Sequence, residues 1–171
     1  MHDHQLTAFG PNEKWFKFAI SFADSGDRLK VTVRYLGGSV PLASGTVVAS
    51  WAASYEPSSL PHGNDPGHAD IGEGRRDVLE EFRGIGIGSY LMHFLIGWVK
   101  NRREVPVVPI HLKQADATLD NLDRRNRFWE KLGFTFDYYN EKSWGCSHRM
   151  TTEDLVKPPR QLAAGWRLQE G

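Results

Sequence analysis

Hydrophobic and polar positions alternate most regularly near the start of the chain. Phe16, Phe18, Ile20 and Phe22 fall on one side of residues 15–23, and Val31, Val33 and Tyr35 repeat the period over residues 29–36. A period of two is that of a half-buried strand. Asp24-Ser25-Gly26-Asp27 between the two runs is turn chemistry, so the pattern predicts a hairpin. Gly37-Gly38 turns the chain into a third strand over residues 42–51. The period then disappears: residues 52–74 carry Pro57, Pro61, Pro66, Gly63, Gly67, Gly72 and Gly74 and read as one long loop of the kind that usually serves function. Residues 75–79 form a short fourth strand, 107–112 a fifth, and 134–139 with 144–150 a closing pair around Asn140-Glu141-Lys142-Ser143.

Two stretches have the helical period instead. Tyr90, Leu91, Phe94, Leu95, Trp98 and Val99 keep one apolar face, Lys100, Arg102 and Arg103 suit the negative end of the helix dipole, and Pro106 stops the helix. Leu119, Leu122, Trp129 and Leu132 predict a second helix over 119–132, capped by Asp116 or Thr118 and released by Gly133 in the left-handed position.

A chain of 171 residues is most simply one domain with its own core. The single cysteine, Cys146, excludes an internal disulfide and fits a reducing compartment. No apolar run approaches membrane-spanning length and the first residues are not of the leader type, so the expected location is cytoplasmic. Lys plus Arg equals Asp plus Glu at 21 each, which gives no global positive field and argues against nucleic acid as a partner. His62, Asp65, His68 and Asp70 lie close in sequence but match no compact ligand spacing, so no metal is expected.

The candidate chemistry lies where the first helix begins. Gly84, Gly86 and Gly88 alternate just ahead of it, leaving backbone N–H groups able to converge at the positive end of the dipole, an arrangement that takes an anion. No Gly-Lys-Ser/Thr ends the turn, and no third glycine stands three residues beyond a Gly-x-Gly, so neither a phosphate loop nor a dinucleotide fingerprint fits. Arg83-x-x-Gly86-x-Gly88 does match a known pattern. Together with Phe128-Trp129-Glu130-Lys131-Leu132-Gly133-Phe134 one helix and one strand later, it resembles the GNAT superfamily of acyl-CoA N-acyltransferases.

The resemblance implies an α/β (α+β) fold, with a mixed, twisted central sheet of about seven strands and two principal helices. Residues 1–152 would be the acyltransferase domain and residues 153–171 an extension beyond the family's usual end: an extra strand, a homodimer contact or an arm. The hairpin leaves no room for the helix pair that the family places between its first two strands, and the long loop would stand in for it. Acetyl-CoA, or another acyl-CoA, is the implied cofactor. Its phosphates would rest on Arg83, Gly84, Ile85, Gly86, Ile87, Gly88 and Ser89. Its pantetheine arm would pair with Val78 and Leu79, where the fourth and fifth strands part after Val78 and Leu112. Trp129 and Asn121 would complete the wall.

Direct transfer to a primary amine needs a proton acceptor. Glu73 is the first candidate and His68 and Asp70 the next, each alternatively a solvated loop residue. His111 points either into the acceptor space or into the core. The family's tyrosine acid falls at Trp129 here, and its asparagine is displaced to Asn121, leaving Tyr138, Tyr139 or Ser143 to serve the leaving thiolate. Three functions follow as alternatives: acylation of a small amine, acylation of a protein or nucleic-acid-linked amine, or a non-catalytic acyl-CoA-binding module.

Overall fold

The structure is a computed structural model and describes residues 4–73 and 77–171. Six strands form an antiparallel sheet: β1 (His4–Phe9), β2 (Trp15–Asp24), β3 (Arg28–Gly38), β4 (Val47–Glu56), β5 (His68–Asp70) and, from the other end of the chain, β9 (Arg167–Glu170). Their order is β5-β4-β3-β2-β1-β9. Helix α1 (Ile87–Lys100) follows β5, and then come β6 (His111–Leu112), α2 (Leu122–Lys131), β7 (Phe136–Tyr139) and β8 (Trp144–Ser147). The last three strands make a second sheet in the order β6-β8-β7. One isolated parallel bridge, Ala69 with Val107, ties β5 to the segment that leads into β6.

Alternation in the strands decides where the core lies. Leu6 and Ala8 of β1, Phe16, Phe18 and Ile20 of β2, Leu29, Val31 and Val33 of β3 and Trp51 and Ala53 of β4 are all buried, and they share one face. Against that face packs α1, through Leu91, Leu95 and Val99, with Phe82 from the short 3₁₀ turn Glu80–Phe82 set edge-on to Phe16 and Phe18. No helix among the described residues packs on the opposite face. Among the described residues nothing helical separates β1, β2 and β3, and β2 and β3 pair directly from Asp24 and Leu29 outward.

Several expectations change. The third strand is shifted to Val47–Glu56, so the loop expected over 52–74 shrinks: five of its residues extend β4, three form β5, and residues 57–67 remain between. The expected fourth strand, 75–79, lies partly outside the described residues; Leu79 still docks on β4, its N–H donating to the Val48 carbonyl at 2.8 Å. Within 107–112 only His111 and Leu112 pair as a strand, with β8. The second helix starts at Leu122 after Asn121, not after Asp116 or Thr118, and Leu119 is fully exposed at 103%. Helical spacing mispredicted Leu119 because residues 114–116 form a separate 3₁₀ turn.

Residues 153–171 are an integral strap. Leu155 and Leu162 are buried, Trp166 stacks on Phe16 with centroids 5.4 Å apart, and β9 adds itself beside β1. Lys100 at the end of α1 donates to the carbonyls of Glu153 and Leu155, both at 2.8 Å.

Candidate functional site

The turn into α1 is built on left-handed backbone. Gly84 has φ +80° and Gly86, the N-cap of α1, has φ +94°, conformations that residues with a Cβ rarely adopt. The first N–H of the helix with a protein acceptor is that of Tyr90, on the Gly86 carbonyl at 3.0 Å. Among the described residues, no protein acceptor meets the N–H groups of Gly84, Ile85, Gly86, Ile87, Gly88 or Ser89. Six donors in succession therefore stand at the positive end of a fourteen-residue helix, with no acid in its first turn.

The glycines have other reasons to be glycines than those the sequence suggested. A Cβ on Gly86 would lie 2.4 Å from the Ala163 nitrogen, because the C-terminal strap crosses there and Ala163 donates its N–H to the Ile85 carbonyl at 2.9 Å. A Cβ on Gly88 would lie 2.6 Å from the Trp51 ring. Only Gly84 faces open space on that side. Close backbone approach thus serves packing at two of the three positions and leaves the third open.

Arg83 is exposed and donates through Nε to the Val78 carbonyl at 3.1 Å, folding the chain back on itself ahead of the turn. The Leu79 N–H is taken by Val48, and the Val78 carbonyl accepts Arg83 while keeping a second lone pair. Residues Val47, Val48, Ala49, Ser50, Asp77 and Glu80 line an open cleft of about 520 Å³ with them.

Ala69 donates to the Pro106 carbonyl and Val108 to the Ala69 carbonyl, each at 2.9 Å. Beyond that pair, Ile110 and Ser147 exchange bonds with each other and β5 pairs along β4; the expected parting after Val78 and Leu112 falls partly outside the described residues. An aromatic cluster joins α2 to β4. Trp129 is buried, set edge-on to Phe128 and Phe134, and Phe128 in turn meets Trp51 at 5.9 Å. Asn121 lies apart from this cluster, bonded to the Asp116 carbonyl and to Arg124 at the start of α2.

The proton-acceptor candidates stand at the other end of the strand from the glycine turn. Asp70 is opposite Ser54, six residues along β4 from Val48, which is roughly 20 Å. Its Oδ1 accepts from the Gly72 N–H at 2.7 Å, and His68 Nδ1 lies 3.6 Å from Glu56. Glu73 pairs with Arg28 at 3.1 Å. These three residues thus lie near the bridge of Ala69 with Val107. His111 is exposed, so it does not join the core. Among the described residues no three His, Cys, Asp or Glu side chains converge as a metal site, and no helix is long and apolar enough to cross a membrane.

Asn126 escaped the sequence reading. It is 5% exposed on α2, donates to the Lys142 carbonyl at 3.0 Å and accepts from Arg125 Nε. Arg125 itself donates to the carbonyls of Lys113 and Ser143. Partial burial lowers its pKa. Of the other donors near α2, Tyr138 gives its hydroxyl proton to Glu130 at 2.7 Å. Burial, and then that carboxylate, hold its ionisation well above the usual phenol range. Tyr139 is stacked on Trp144 at the surface, and Ser143 Oγ is buried without a partner. An asparagine five residues into a charged helix gave no sequence signal for its role.

Comparison with protein-family models, curated proteins and solved structures returned no match.

Proposed function

We propose that this protein is an acyl-CoA-dependent N-acyltransferase of the GNAT kind, moving an acetyl or other short acyl group to a primary amine. The observation that carries this reading is the run of six N–H groups at the start of α1 that meet no protein acceptor among the described residues. Converging backbone donors at a helix N-terminus fit a pyrophosphate. The GNAT fold is part of the same proposal; its sheet would be the six- and three-stranded sheets read as one through Ala69 and Val107.

Acyl-CoA supplies the activated thioester. Residues 84–89 would hold its phosphates, and Phe128 and Trp129 would wall its arm from water. His68, Asp70 and Glu73, gathered near the Ala69–Val107 bridge, would take the amine's proton. Holding both reactants in one cleft supplies much of the acceleration. Trp129 has no ionisable group, so the thiolate would leave unassisted there; Ser143, with its unpartnered hydroxyl, is the available donor nearby in sequence. The direct β2–β3 hairpin, which leaves out the family's helix pair, favours an acceptor larger than a free metabolite.

A second reading, a non-catalytic acyl-CoA-binding module, is favoured by Trp129 alone. Release of free thiol from acetyl-CoA separates the two. With a panel of small amines and lysine-bearing peptides, amine-dependent release supports the transferase; binding without release on any acceptor supports the module.

A further inference from the structure

The uncovered face of the six-stranded sheet has a composition that net charge conceals. Strand register places Arg167 of β9 opposite Phe9 of β1, and Phe9 opposite Trp15 of β2, while Thr7 stands opposite Lys17. On the same face Arg34 is opposite Ala19, Thr32 opposite Ser21 and Ser50, and Lys30 opposite Ala23 and Ala52. From β9 to Ser54 on β4 this face holds Arg167, Lys17, Arg34, Lys30 and Arg28 and no acid; Glu56 and Asp70 appear only at its far corner. Arg28 is committed to Glu73, while Lys17, Lys30, Arg34 and Arg167 have no acidic partner among the described residues. Phe9 and Trp15 are 37% and 44% exposed, side by side at one corner.

From this juxtaposition we infer that the bare face binds single-stranded nucleic acid. Small side chains, Ala19, Ser21, Thr32, Ser50 and Ala52, keep the middle of the face low, so a strand can lie on it. These four cations cover an area of roughly 15 by 26 Å, three strand spacings by eight residues. That spread lets them follow a phosphate backbone, while Phe9 and Trp15 offer ring faces to unstacked bases. Hydroxyls of Thr7 and Ser21 add donors between the charges, while Thr32 Oγ1 and Ser50 Oγ, 2.8 Å apart, bond each other. The inference is independent of the acyl-CoA site on the other side of the sheet and departs from the expectation set by the chain's zero net charge.

The test is fluorescence anisotropy of the full chain with labelled oligouridylate and oligothymidylate, the two arms separating RNA from DNA. Binding of at least one oligonucleotide is expected, with a log–log salt slope of about −3 for four phosphates engaged. Lys17→Glu with Arg34→Glu is expected to weaken it a hundredfold or more. Trp15→Ala is expected to weaken it by roughly tenfold, with Trp15→Phe retaining most of the affinity. Arg124→Glu with Arg127→Glu on α2 is expected to change nothing. Should the charge-reversed pair lower the melting temperature, Lys17→Gln with Arg34→Gln replaces it. No binding at low salt, an equal loss in the α2 variant, or binding to anionic phospholipid vesicles without binding to either oligonucleotide would overturn the inference.

Discussion

Two irregular turns flank the helices of this protein, and they treat their backbone in opposite ways. At residues 140–142, Asn140, Glu141 and Lys142 are all left-handed, with φ +48°, +53° and +63°, although none is glycine. Such a run is costly, on the order of 1–3 kcal/mol per residue. It persists because α2 holds it: Asn126 and Arg125 bond the Lys142 and Ser143 carbonyls. At residues 84–89 the left-handed positions are glycines, and among the described residues no acceptor meets the six N–H groups. The first turn is completed by its own chain. The second is complete in its packing and leaves those donors without a protein acceptor, which is what the proposed ligand site requires.

That contrast can be broken from either side. Gly86→Ala should act most strongly, since it adds strain at φ +94° and drives a methyl into the Ala163 nitrogen; a loss of about 3 kcal/mol in denaturant unfolding is expected. Arg125→Ala should cost about 2 kcal/mol, by leaving carbonyls at the 140–142 turn without their donor. Ser89→Asp is the reverse experiment. An acid in the first turn favours the helix dipole, so stability should stay level or rise by about 0.5 kcal/mol while an anion is repelled. The melting-temperature rise given by acetyl-CoA should then vanish without any loss of fold.

The β2–β3 hairpin tip supplies the smallest test. There a left-handed glycine, Gly26, has its N–H met by Asp24 at 2.8 Å, and the Trp98 indole donates to the same carboxylate. The Gly26 N–H first, then the Trp98 donor, hold the Asp24 carboxyl below the usual carboxylate range. A lowered folded pKa contributes stability that is present above the unfolded value, near pH 4, and is lost as pH falls through the folded one. The stability deficit of Asp24→Asn, measured by urea unfolding across that window, should therefore shrink on acidification.

The β2–β3 hairpin, α1 and the Gly133 release were legible because a strict period or a left-handed glycine marks them locally. The partners β1 and β9 were not: each is short, and the pairing that gives β9 its place joins residues at opposite ends of the chain. The left-handed glycine turn ahead of α1 was readable from glycine spacing, but the reason for two of those glycines was not, since Ala163 and Trp51 come from distant segments. Likewise the cationic sheet face needs strand register; a charge count averages it away. Leu119 shows the converse, an apolar residue in helical phase that the chain leaves in water.

The most direct measurement is the backbone amide spectrum of the ¹⁵N-labelled protein during titration with acetyl-CoA. The largest shifts are expected at Gly84, Ile85, Gly86, Ile87, Gly88 and Ser89, with no such shifts in Ser89→Asp. Saturating acetyl-CoA that leaves those six amides unmoved, or moves only residues elsewhere, would contradict the assignment of this turn as the acyl-CoA site.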